Sequence, residues 1–525
     1  LLVWLLSISA IACGQTRDSE DLEQRRVALY HQLATSNAGP PTTPDSDALP
    51  SRDVHRPDFD PSRQYFFVPP ERSGFAIERA AAADAAAAAQ NWALDQRDRR
   101  HAASFFDLAR QALDAGQGQL AFRLAHEVLR LDPDHEGARR WLGLRRLRDR
   151  RAEVTEIRES TRHHPQFGWP AGSYRRVITP HFQISTNDQL DTALRLARTL
   201  EQLHVVWEQL FFDFWSDTQF LRARAEGQSR AARAQTRHQV VMFRERDEYV
   251  TFVRTLEPQA ELTRGYYHAP SRTAYFVGGS EPPESTWRHE VTHQLFHESA
   301  RASRQIGHVD NFWIVEGVAL YMESLQPCRE WTTVGGLEAE RLQYARFRAL
   351  REGFYLPLEA FVGLDQIALQ RDERIRQLYS QAAGLTHFLL DGQHGRFRPA
   401  VMRYLRLVYQ GRDQHDSLSR LTASSWEQLD RQYHEFLQVN DEQLQSLDPD
   451  IQIRQLCLGG TSVGDGGLRS LPSLRHTTWL DLYGLPLTDR GTDGLINAPN
   501  LEQLSLERTQ ISDPTVARLR TAKGL

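Results

Sequence analysis

This sequence predicts a multidomain α+β chain, and three observations predict it. Its 525 residues exceed what one hydrophobic core supports. Between residues 173 and 445, strand-like stretches come before helical ones, an order that marks α+β architecture. Residues 450–525 repeat themselves every 24 positions, as a stacked array does. With 40% hydrophobic and 25% charged residues, 11 Trp and 24 Phe, the chain can build real cores. A net charge of -5 gives no electrostatic reason to expect nucleic acid as a partner.

The first residues, Leu1-Leu2-Val3-Trp4-Leu5-Leu6, are apolar but too few to span a bilayer as they stand. They read as the tail of an export signal over residues 1–13, with small residues before a cysteine. Ala10-Ile11-Ala12-Cys13 resembles a bacterial lipobox, which implies lipidation at Cys13 and a membrane-anchored protein facing the periplasm or cell exterior. An ordinary cleaved signal stays open. Residues 14–79 read as a largely disordered tether, because the stretch 35–64 is rich in Pro, Ser, Asp and Thr. Cys13, Cys328 and Cys457 are the only cysteines, too few for a disulfide scaffold, and the last two read as separate buried thiols.

Residues 80–160 are expected to be helical, beginning in the run AAADAAAAA. Phe105, Leu108, Ala109, Ala121 and Pro133, with Leu142-Gly143 set 34 positions after Leu108-Ala109, resemble a tetratricopeptide repeat. A plain helical hairpin is the competing reading. At the C-terminus, Leu456-Cys457-Leu458, Leu480-Asp481-Leu482 and Leu504-Ser505-Leu506 are 24 residues apart. Val463, Leu487 and Ile511 keep the same step, as do Asp465, Asp489 and Asp513, and Leu471, Leu495 and Leu519. These columns resemble leucine-rich repeats, whose stack implies a concave surface for a protein partner; capping of the preceding domain is the alternative.

In the central segment, VITPHFQIST (177–186) and HQVVMFR (238–244) read as strands, 191–215 as a helix and GYYHAPSRTAYFV (265–277) as a hairpin. A helix then starts near Ser285 and Thr286 and runs to about Ser299. His289 and His293 lie one turn apart on it and face the same way, while Trp287, Val291 and Leu295 form the opposite stripe. Glu290 lies beside the pair, where a general base takes a proton from a metal-activated water. His297 is about 12 Å along the axis from His289, too far for all three histidines to hold one ion. A second helix over 310–327, starting at Asp310 or Asn311, carries Glu316, which completes a His2Glu set with one position open.

HEVTH followed by WIVEGVALYME resembles the gluzincin metallopeptidases, in particular the M1-like or peptidase MA-like branch, with Trp313, Glu316, Gly317, Ala319, Tyr321 and Glu323 at the signature positions. The resemblance implies a zincin-like domain over 173–445, made of a mixed sheet, the H-E-x-x-H helix and a helical lower half. It also implies a Zn2+ ion held by His289, His293 and Glu316, with Glu290 as base. The resemblance further points to Tyr379, 63 residues after Glu316, as the hydroxyl that steadies the oxyanion, with Tyr266, Tyr267 and His268 as rivals. The hairpin is either an edge along which an extended peptide lies or a packed element with no substrate. No G-x-M-E-N type loop stands between Arg264 and Thr286, so aminopeptidase activity is not expected. The expected function is zinc-dependent cleavage of peptide bonds in a peptide or protein. An exported repeat protein with a metal-binding but weakly active domain is the alternative.

Overall fold

The computed structural model describes residues 21–33, 62–69, 85–144, 156–228, 237–279, 284–299, 302–303, 305–328, 330–472 and 474–520. Cys13 and the rest of the expected signal lie outside them. The architecture mixes helices with antiparallel and parallel sheets. Two compact units are present: Leu1–Asp58 with Phe66–Gln239, and Phe59–Tyr65 with Val240–Leu525.

In the first unit, helices Ala85–Asp114 and Gly118–Leu131 pack along each other, and Glu136–Leu142 follows, ended by Gly143 at φ 70. Phe105, Leu108, Ala109 and Ala121, the positions singled out in the sequence, are buried. The helical reading of 80–160 needs one correction. Glu156–Glu159 is a strand paired antiparallel with Arg175–Ile178, and its four side chains are exposed. The expected single strand over 177–186 is a hairpin, Arg175–Ile178 against Phe182–Thr186, because Pro180 lacks the N–H that a continuous strand would need.

Within 14–79, expected to be a largely disordered tether, a helix spans 21–33. Leu22, Arg26, Tyr30 and Leu33 are buried at helical spacing. The Arg26 guanidinium donates to Glu127 at 2.7 to 3.0 Å, and the Tyr30 hydroxyl donates to the same carboxylate at 2.8 Å. Removing one member of such a buried charge pair costs about 3–5 kcal/mol. The other end of the presumed tether is ordered too. Within the second unit Arg63 donates to Glu338 at 2.6 and 3.0 Å, and Gln64 donates to the Tyr321 hydroxyl at 3.0 Å.

The second unit contains the hairpin Gly265–His268 and Thr273–Val277, helix Glu284–Ser299 and helix Trp313–Met322. Helices Glu340–Arg346 and Ile375–Asp391 follow. The second helix begins at Trp313 rather than at Asp310 or Asn311, because Asn311 sits at φ 58, outside the helical range. The repeat array belongs to the same unit. Strands Gln455–Cys457, Trp479–Asp481 and Gln503–Ser505 are parallel, with Leu456, Leu480 and Leu504 in register. Asp465 accepts from the Thr488 N–H at 2.8 Å, and Asp489 accepts from the Ser512 N–H at 2.9 Å. One unit earlier, Asp441 accepts from the Gly464 N–H at 2.7 Å. Val439 and Leu447 share a core with the repeat leucines, so the 24-residue step starts half a unit before the first L-x-L.

Candidate metal centre

Helix Glu284–Ser299 buries Trp287, Val291 and Leu295 and leaves His289 and His293 on its other side. Helix Trp313–Met322 packs against it and brings in Glu316. Gly317, next to Glu316, allows helix Ile375–Asp391 to come close: a Cβ there would lie 2.2 Å from the Thr386 hydroxyl oxygen and 3.1 Å from the Ala382 carbonyl oxygen. The residue after the carboxylate is therefore small for a packing reason.

His289 Nε2 is 3.2 Å from His293 Nε2 and 3.4 Å from Glu316 Oε2, and the latter is 3.7 Å from His293 Nε2. Ligands about 2.05 Å from a tetrahedral zinc are spaced about 3.3 Å apart, so these three atoms fit one ion without rearrangement. The imidazole centroids are 4.8 Å apart with planes at 80°, close to the roughly 5 Å expected of two rings converging on one ion. Burial would lower the His289 imidazole, but hydrogen bonds with Glu316 and Glu323 and the charges of Glu323 and Glu290 hold it up at about 10. Burial would raise Glu316, but the flanking His293 and His289 keep it well below the usual carboxylate range. The set thus retains the anionic oxygen that a ligand requires.

Three further groups surround the set. His289 Nδ1 lies 2.9 Å from Glu323 Oε1, which leaves Nε2 as the nitrogen facing His293 and Glu316. Arg341 donates to the two oxygens of Glu323 at 2.7 and 3.1 Å. The third group, Glu290, is held by the hairpin. Val277 N–H donates to the Arg264 carbonyl, so ladder alternation turns the Tyr267 N–H away from its partner strand. That N–H donates to Glu290 Oε2 at 2.9 Å.

Among the tyrosine candidates, Tyr379 lies against Glu316; burial and the Glu316 charge raise its hydroxyl well above the usual range. The Tyr267 hydroxyl pairs with His297 Nδ1 at 3.0 Å, so it is engaged away from the ligand set. His268 pairs with Ser271 through its ring nitrogen at 2.9 Å. Tyr266 is raised by burial and by the charges of Glu257 and Glu290. Sequence reasoning missed Tyr409, whose ring stacks on Phe296 at 5.3 Å and whose hydroxyl burial and the Glu316 charge push upward. It also assigned no part to Arg341. Neither carries a local signal, because both reach the site from distant helices.

Another set of groups that could hold an ion is His181, His204 and Glu208. There the two rings stack at 3.8 Å and 15°, too close and too parallel for their lone pairs to converge.

Residues 284–407 match the family described as "Protein of unknown function (DUF1570)". The match begins at the first residue of the histidine helix and encloses His289, Glu290, His293, Glu316, Glu323, Arg341 and Tyr379. No curated protein matches the chain.

Proposed function

We propose that this protein is a gluzincin-type zinc peptidase, with His289, His293 and Glu316 as the ligands of the ion. The observation that carries the reading is the ligand triangle of 3.2, 3.4 and 3.7 Å with Glu290 fixed beside it. Zinc, when bound, supplies a Lewis acid that lowers the pKa of water and polarises a carbonyl. Glu290 takes the proton of the attacking water and passes it to the leaving amine. Tyr379, whose hydroxyl lies against Glu316 and is protonated at neutral pH as any tyrosine is, donates to the developing oxyanion. Gly265–His268, at the end of its sheet, offers an edge for an extended peptide, apart from the Tyr267 N–H, which is given to Glu290.

Around this centre, residues 173–445 are taken as a zincin-like domain, the N-terminal helices as tetratricopeptide-like and the 24-residue array as leucine-rich repeats. Export and a lipid anchor at Cys13 complete it. Among the described residues no helix is long and apolar enough to cross a membrane. A peptide-library digest with zinc-loaded protein tests the reading. Wild type should cleave, and Glu290→Gln should lose at least about 100-fold in rate while keeping its zinc. Equal turnover by both proteins would refute the assignment of the base.

A further inference from the structure

The strand face of a repeat stack is where a partner is expected to dock, but here the chain covers part of it itself. Helix Glu340–Arg346 and the turn Phe347–Arg351 lie on the first two coils. Cys457 N–H donates to Gln343 Oε1 at 2.8 Å, and Arg351 Nε donates to Asp481 at 3.1 Å. Trp479 stacks on Tyr344 at 5.7 Å and 18° and meets Phe347 edge-on at 5.4 Å. The Arg351 guanidinium sits 3.4 Å from the Tyr483 ring centroid. In the first turn of the same helix stands Arg341, which holds Glu323, which in turn holds His289 Nδ1.

We propose that the C-terminal repeats are the outer brace of the metal centre: they fix helix Glu340–Arg346, and through Arg341 and Glu323 they set the orientation of His289. This rests on the zinc reading and gives the repeats a positioning role in it. A rigid helix is needed because the two Arg341 bonds to Glu323 hold only if the helix neither slides nor rotates.

The test is a zinc competition titration, with the absorption spectrum of the cobalt-substituted protein as a second readout. Variants are Arg341→Ala, Trp479→Ala, their combination, and Leu504→Ala in the third coil, away from the braced helix. Arg341→Ala should weaken zinc binding on the order of tenfold, Trp479→Ala should weaken it and shift the cobalt spectrum, and the double variant should be no weaker than Arg341→Ala, since both act on one link. Leu504→Ala should bind zinc as wild type does. Should Trp479→Ala fail to fold, Arg351→Gln removes the bond to Asp481 from the helix side and should give the same loss. Zinc-loaded Trp479→Ala, or Arg351→Gln in its place, with wild-type affinity and spectrum would overturn the brace alone, as would equal weakening by Leu504→Ala. Wild-type protein that takes up no zinc would overturn the metal reading as well.

Discussion

His289 carries a proton at neutral pH in the metal-free protein, because its imidazole is held up at about 10. A metal must displace that proton. Below pH 10 the apparent zinc affinity should therefore fall about tenfold for each unit of acidification through this residue, and binding at pH 7 should release a proton. Titration calorimetry in two buffers of different ionisation enthalpy reads that release; identical heats in both would contradict the pairing with Glu316 and Glu323. Tyr379→Phe removes the hydroxyl without altering the packing of the ring. The rate constant kcat should drop by about 100-fold or more with KM nearly unchanged, and an unchanged kcat would pass the role to another donor. The pair His289 and His293 was legible in the sequence because a four-residue step always places two side chains on one helical face. The support behind it was not. Nothing near Glu323 in the chain announces Arg341, which reaches it only after helix Glu340–Arg346 has packed.

At the scale of elements, close approach decides where Glu316 sits. Gly317→Ala puts a methyl 2.2 Å from the Thr386 oxygen, an overpacking that should destabilise the protein by about 1–3 kcal/mol. Thr386→Ala removes the offending oxygen and should restore most of that loss in the double variant. Denaturant melts measure both, and simple additivity would contradict the crossing described. Helix 21–33 shows why some elements escaped sequence reading. Its stripe of Leu22, Arg26, Tyr30 and Leu33 has helical period, but the proline-rich stretch that follows dominates the composition of 14–79. The half repeat at Val439, Asp441 and Leu447 escaped for another reason. Where its L-x-L would stand, Gln432-Tyr433-His434 belongs to helix Trp426–Leu437.

For the whole molecule, the mixture of helices and sheets and the 24-residue spacing of the C-terminal strands were readable because period 2, period 3.6 and a 24-residue step leave plain marks. The division into units was not, since it depends on which surfaces meet. Leu337, Val439, Leu444 and Leu447 join the repeat leucines in one core, so the packing of the array begins before 450. The central claim remains that two imidazoles and one carboxylate take a single ion. Anomalous diffraction at the zinc edge from zinc-soaked crystals tests it most directly. One strong peak equidistant from His289 Nε2, His293 Nε2 and a Glu316 oxygen, absent below the edge, is the expected result. A peak elsewhere, or Glu316 turned away from a zinc held by other groups, would contradict it.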